Sequence, residues 1–515
     1  REQAAPGSRP ENWWLLDPSA DGFPGISAER AYREILAGKQ PKRPTVLAII
    51  DTGVDLEHED LRANAWTNPR ETAGNGRDDD GNGFVDDVHG WNFIGGPSGD
   101  VNEDTFEVTR IYADLRARCG SGGGGGAAPR STGVPCARLP EIRRAYDSVA
   151  AQNRQQLQQV EQINTMVDGA TEILRRAAGG DSLTAERVAA IPAMRADVAQ
   201  AKLLYGQLLA AGISPRQVDD ELEALRVRVN YGLNLEFDPR SVVGDDPAKP
   251  TERGYGNPRV RGPDADHGTH VAGIAGAVRG NGIGVDGVAS PVRIMALRVV
   301  PNGDERDKDV ANAIRYAADN GAHVINMSFG KSHSPQKRLV DDAVRYADSK
   351  GVLMVHAAGN DGSDLAVSGN FPNRYYEGGG EARNWIEVGA SSYRADSLAA
   401  SFSNYGRTQV DVFAPGVDIR STYPDNRYED NQGTSMSSPV VAGLAALILA
   451  YYPELSAGDV RQVILESATR YTSQSTVRPG SEDQAVPFGG LSATGAVVNA
   501  YEALRLAEQR AGARR

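Results

Sequence analysis

Three serines crowd the segment GTSMSSPVVAG, residues 433–443, just behind a glycine and ahead of a run of small and apolar residues. A serine hydroxyl is a poor nucleophile near neutral pH. It needs an imidazole base, a carboxylate that orients the base, and donors for the oxyanion that develops on the attacked carbonyl. Of the seven histidines, His267 has the richest setting, DADHGTHVAGIAG, where Gly268 and the small residues after it allow a close approach and then a tightly packed helix. Asp51 ends the apolar run TVLAII and opens DTGVD, so it places a carboxylate at a strand end. Asn360, in AAGNDG, offers a side-chain amide at the end of another apolar run. Singly these signals are weak, because Asp-Thr-Gly and Asn-Asp-Gly are common turns. Among the serines, Ser435 sits where a glycine-led turn enters the following helix, which puts its hydroxyl at the favourable end of the dipole. Ser437 and Ser438 fall ahead of Pro439 and are expected to cap or pack, and His270 is expected to be structural.

A second cluster, DDDGNGFVDD at residues 78–87, carries different chemistry. Asp78, Asp80, Asn82, a glycine at the sixth position, Phe84 at the seventh, and then Asp86 and Asp87 match the first half of a calcium loop. The twelfth position is His89, so the pattern is not a complete EF-hand. Carboxylates this close repel one another without a cation, and structural Ca2+ is the expected cofactor. The two cysteines, Cys119 and Cys136, flank the stretch GSGGGGGAAPRSTGVP. They are expected to bridge across it, which requires an oxidising compartment; a pair of free thiols is the alternative.

These residues need a scaffold, and the flanking sequence supplies one. RIMALRVV precedes DVANAIRYAADNG, HVINMSFG precedes LVDDAVRYADSKG, and VLMVHAAGN follows. Buried strands alternating with amphipathic helices that end in glycine predict an α/β fold, a mostly parallel sheet with helices on both faces. Functional residues gather at the carboxyl ends of such strands. Between the aspartate and histidine motifs the pattern changes. Three- and four-residue steps through positions 142, 146, 149, 157, 160, 163, 167, 170 and 174, and a capping box with proline at Ser214–Gln217, predict an all-helical insertion, a hairpin or small bundle. The expected organisation is an N-terminal arm over 1–40, a first catalytic part over 41–102, a mainly helical insertion with its glycine-rich loop over 103–259, a second catalytic part over 260–505, and a C-terminal tail over 506–515.

Read in order, VLAIIDTGVD, HGTHVAGIAG, VINMSFG, AAGN and GTSMSSPVVAG resemble the subtilisin-like serine peptidases, the subtilases. The likeness covers the start of the chain to about residue 100 and again about 260 to 500, with an Asp, His, Ser order that is subtilisin's. It implies that Asp51 orients His267, that His267 is the general base, that Ser435 is the nucleophile, and that Asn360 with the Ser435 backbone amide forms the oxyanion hole. It further implies that an extended peptide pairs with Ser328, Phe329 and Gly330. NFPNRY resembles the segment closing the specificity pocket, with Asn370 near its base and a cis Phe371–Pro372 bond. RGNGIGVDGVAS resembles a family calcium loop with Asn281 as a ligand. Two departures stand out: Ser437 and Val440 replace the family's usual alanine and histidine, and His267 comes 216 residues after Asp51.

Composition narrows the class. The net charge of −13 argues against a broad nucleic-acid surface. The longest apolar run, Val440–Tyr452, falls short of a bilayer span. The chain opens at Arg1 without a charged leader and apolar core, which fits a secreted or periplasmic protein whose signal has been removed. The function expected is a secreted serine endopeptidase acting on protein or peptide substrates. The rival is a catalytically idle scaffold whose helical insertion binds a partner protein.

Overall fold

The computed structural model describes residues 9–119, 132–180, 183–210, 213–247, 249–394 and 397–513. The glycine-rich stretch between the cysteines and the last two positions of the C-terminal tail lie outside the described residues. The chain resolves into two compact units, Arg1–Asn102 with Pro239–Arg515, and Glu103–Asp238.

The first unit is built on a nine-stranded sheet. Its order is Thr469–Arg470, Ala496–Val497, Val412–Pro415, Trp385–Ser391, Leu353–Ala357, Val324–Met327, Thr45–Asp51, Val292–Arg298 and Gly90–Asn92. All neighbours are parallel except the terminal pair, Thr469–Arg470 with Ala496–Val497. The runs LAII, IMAL and VINM are continuous rather than alternating because both faces of the sheet are covered. One face packs on the helices Thr434–Tyr451 and Asp266–Gly276, with Ala28–Glu34, Ala457–Ser467 and Ala500–Ala513 completing that layer. Trp13, Trp14 and Leu15 of the N-terminal arm are buried in the same core. The helices Asp307–Asp319 and Lys337–Ser349 cover the other face. Register places Asp51 beside Arg298, at the carboxyl end of both strands.

Among the described residues one helix, Thr434–Tyr451, is long and apolar enough to cross a membrane, and 89% of it is buried inside the protein. Its composition is that of a central core helix, closely packed on the strands Val324–Met327, Leu353–Ala357 and Trp385–Ser391.

The second unit is helical: Glu107–Cys119, Leu139–Ala178, Ala185–Ala190, Ala196–Ala210 and Pro215–Val227. Val108, Ile111 and Leu115 meet Ile142, Tyr146 and Ala150 at one end of the long helix. Ala170 and Leu174 meet Val198, Ala201 and Tyr205 toward the other. The capping box at Ser214 and Gln217 is present. The apolar stripe is not buried throughout, and Ile163 stays 40% exposed. A 40-residue helix is about 60 Å long, and its partners of 13 to 15 residues each cover only part of it. Cys119 and Cys136 are bonded, with Cα atoms 5.8 Å apart, tying the first helix to the turn that begins the long one.

Residues 239–259 depart from the boundary expected for the insertion, because they belong to the first unit. Arg240 is buried between Asp245 and Asp309. Trp91 donates its indole N–H to the Tyr255 carbonyl, and Asn257 pairs with Asn92. No periodic pattern announces this segment, since side-chain ion pairs and isolated bridges hold it in place.

Candidate active site

The side chain of Asp51 is buried at the end of the strand Thr45–Asp51, where its Oδ1 accepts the Thr52 N–H at 2.7 Å. The same oxygen lies 2.7 Å from His267 Nδ1. A carboxylate can only accept, so Nδ1 carries the proton and Nε2 is left as the basic nitrogen. Burial opposes charge on His267, but the Asp51 carboxylate outweighs it and lifts the imidazole above its ordinary 6.5. His267 is the second residue of the helix Asp266–Gly276, and Gly268 explains how that helix comes so near. A Cβ on Gly268 would meet the Gly53 carbonyl oxygen at 2.1 Å. The neighbouring His270 is fully buried, with Nε2 on the Glu429 carbonyl, and burial pushes it down to about 4.

Ser435 is the second residue of the helix Thr434–Tyr451, entered through Gly433 at φ 148°. Its Oγ donates to the Ser328 carbonyl at 2.9 Å, and Ser328 Oγ donates back to the Ser435 carbonyl at 2.8 Å. Pro439 makes the second bond available. In an unbroken helix the N–H four residues on would hold the Ser435 carbonyl, and proline has none. The other two serines are committed elsewhere, Ser437 Oγ to the Ala414 and Pro415 carbonyls and Ser438 Oγ to Asn326 Oδ1.

Asn360 follows the strand Leu353–Ala357. Its Oδ1 accepts both the backbone N–H and the hydroxyl of Thr434, at 2.8 and 3.0 Å. An N–H can only donate, so the oxygen of the amide is fixed on the Thr434 side and the NH2 group is turned away from it. That NH2 group and the orphan N–H of Ser435 in the first turn are both hydrogen-bond donors close to Gly433, at the start of the helix that carries Ser435.

Ser328–Gly330 continue the strand Val324–Met327. Among the described residues, no backbone group of Phe329 or Gly330 has a hydrogen-bond partner. A Cβ on Gly330 would meet Asn370 Oδ1 at 2.2 Å, so glycine admits the side chain that the sequence placed near the pocket base. The Asn370 NH2 group is engaged, donating to the Ala357 and Ala358 carbonyls. The Phe371–Pro372 bond is cis.

In the acidic loop, a carboxylate outside the expected ligand set joins two members of it. Oxygens of Glu71, Asp78 and Asp80 lie within 4.8 Å of one another, and Glu71 Oε2 is buried without a hydrogen-bond partner. Three clustered carboxylates with an unsatisfied buried oxygen fit a hard cation such as calcium. The other residues of the expected set have hydrogen-bond and packing partners of their own. Asp86 accepts the N–H groups of Asn75 and Gly76, and Asp87 is buried against Asn68, Asn82 and Tyr316. Asn82 Oδ1 takes the Phe84 N–H, and the Phe84 ring lies in the core beneath Trp91 and Phe93. Glu71 lies seven residues before the loop pattern, and no local spacing points to it. Asn281 donates to buried Asp60, a residue the sequence did not single out.

The subtilase family model matches residues 42–486. The chain belongs to the subtilase family. A thermophilic serine proteinase of Bacillus sp. (strain AK1) is 47% identical over 213 residues, which is 41% of this chain and 49% of that one. Subtilisin Savinase of Lederbergia lenta is 41% identical over 204 residues, 39% of this chain and 70% of the relative. Subtilisin DY of Bacillus licheniformis is 42% identical over 207 residues, again 39% and 70%. This subtilase spans about half the length of the first of these relatives.

Proposed function

We propose that the protein is a serine endopeptidase that hydrolyses peptide bonds by acyl transfer. The observation that carries this reading is the 2.7 Å bond from His267 Nδ1 to a buried Asp51, which leaves Nε2 as a base in the unit that also presents Ser435 at a helix start. In the first step Ser435 Oγ attacks the carbonyl carbon while His267 Nε2 takes its proton. The oxyanion is met by the Asn360 NH2 group and the Ser435 N–H. His267 then returns the proton to the leaving amine, the C–N bond breaks, and an acyl-enzyme remains. Water, deprotonated by the same nitrogen, releases the acid and restores the hydroxyl.

The unpartnered backbone groups of Phe329 and Gly330 support docking of an extended peptide by main-chain pairing, a mode with little sequence demand. Glu71, Asp78 and Asp80 would hold a calcium ion whose role is to neutralise the loop and stabilise it. Chelation is expected to lower Tm in the wild type and to leave Tm of a Glu71→Gln/Asp80→Asn variant unchanged. The bond between Cys119 and Cys136 supports an oxidising compartment, extracellular or periplasmic.

A fluorophosphonate probe tests the central reading. It is expected to label the wild type at Ser435 and to leave Ser435→Ala unlabelled. Folded wild type that takes up no label would refute the assignment and favour a non-catalytic scaffold.

A further inference from the structure

The segment Ser328–Lys331 is pinned at both ends. At one end Ser328 exchanges two hydrogen bonds with Ser435, and Asn326 joins Ser328 Oγ to Ser438. At the other end Lys331 forms a two-way backbone bridge with Phe371, at 3.1 and 3.0 Å. Its side chain turns inward, 2% exposed, and reaches the stretch that leads into the helix Asp307–Asp319. There Nζ donates to the Glu305 carbonyl at 2.7 Å and lies 2.8 Å from Asp307 Oδ1. The second Asp307 oxygen caps the Gln336 N–H, so the aspartate is itself held from the following helix. Glu305 is buried too, and burial lifts its carboxyl to about 8 against the pull of Lys331.

Lys331 is therefore a strut. One end directly follows Phe329 and Gly330, whose backbone N–H and C=O groups are unpartnered, and the other is fixed in a loop 26 residues earlier. A lysine stem is flexible in solution, but a desolvated ammonium held by a carboxylate and a carbonyl has one geometry. Losing it would leave Asp307 as a buried carboxylate without its counter-charge, which the surrounding chain must move to relieve.

We propose that Lys331 is a positioning residue for extended substrates: by tying the end of Ser328–Gly330 to Glu305 and Asp307, it holds the unpartnered edge of Phe329 and Gly330 in place for pairing with peptide residues remote from the scissile bond. The inference rests on the peptidase reading above. It predicts an effect that grows with substrate length, because remote contacts contribute to the rate only when the substrate reaches them.

The test compares a single-residue ester with a pentapeptide anilide of the same residue at the cleaved bond, using wild type, Lys331→Met, Lys331→Met/Asp307→Asn and Lys331→Arg. The concentration of competent sites is set by fluorophosphonate titration, so misfolded protein does not enter the rates. Lys331→Met is expected to lose about tenfold or more in kcat/KM on the pentapeptide while staying within about twofold on the ester. The double variant, free of the stranded carboxylate, should keep the length-dependent loss while recovering stability, and Lys331→Arg should restore part of the pentapeptide rate. Equal losses on both substrates, or none on the pentapeptide, would overturn the strut. A wild type that turns over neither substrate would instead sink the peptidase reading, and this inference with it.

Discussion

At the scale of the residue, the site is arranged by which atoms can only accept and which can only donate. The Asp51 carboxylate fixes the His267 tautomer, and the Thr434 N–H fixes the Asn360 amide. On the proposed mechanism, Asn360→Ala should reduce turnover on the order of 10² to 10³, the scale known for loss of the side-chain oxyanion donor in subtilisin, with KM little changed. His267 must be neutral to act as base, and Asp51 raises its titration, so kcat/KM should rise with pH along a limb centred above 6.5. Asp51→Asn removes the charge that stabilises the imidazolium. Its residual activity, down on the order of 10⁴, should therefore show that limb displaced to lower pH. A pH profile of the two proteins decides this, and a limb that does not move would show that another group is titrating.

At the scale of the element, two helix starts bring His267 and Ser435 to the carboxyl ends of parallel strands. The helix Asp266–Gly276 can approach Gly53 only because position 268 has no side chain. Gly268→Ala should force that helix away from the Asp51 turn. A destabilisation of about 1–3 kcal/mol is expected from overpacking, read as a shift in the urea midpoint. The rate of fluorophosphonate labelling should fall at the same time, since the histidine moves with its helix. Unchanged labelling in a destabilised protein would separate packing from catalysis at this position. The helix Thr434–Tyr451 teaches a complementary point. Its apolarity suits a bilayer, yet it is the core around which the sheet is assembled.

At the scale of the whole molecule, burial of neutral histidines ties stability to pH. His270 and His323 are both pushed down to about 4 by burial, against an ordinary value of 6.5. Between those limits the unfolded chain binds protons that the native state refuses, so stability is lost as pH falls through that window. Each group can contribute at most about 3 kcal/mol. Raised carboxylates at Asp60, Asp87 and Asp266 act in the opposite sense, since the native state takes up their protons more readily. The difference between wild type and His270→Gln isolates the contribution of this one histidine. From pH 7 to 4.5 the urea midpoint of the wild type should fall more steeply than that of the variant, and parallel slopes would remove His270 from the account.

The parallel sheet was legible in the sequence, and so were the positions of Asp51, His267, Asn360 and Ser435 at its strand ends and helix starts, because each depends on a short local pattern. An apolar run ending in Asp51, a glycine after His267 and a glycine before Ser435 state where a strand stops or a helix starts. Family motifs then supply the order in which those ends converge. The long-range partners were not legible. Glu71 joins Asp78 and Asp80 from outside the loop pattern, Arg240 draws residues 239–259 into the first unit, and Lys331 crosses to Glu305 and Asp307. Backbone geometry is decided by neighbours in the chain, so sequence determined which groups could do the chemistry. Ion pairs between buried side chains depend on what the fold brings within about 3 Å, so only the tertiary structure decided how the acidic cluster, the return segment and the Ser328–Lys331 edge are held.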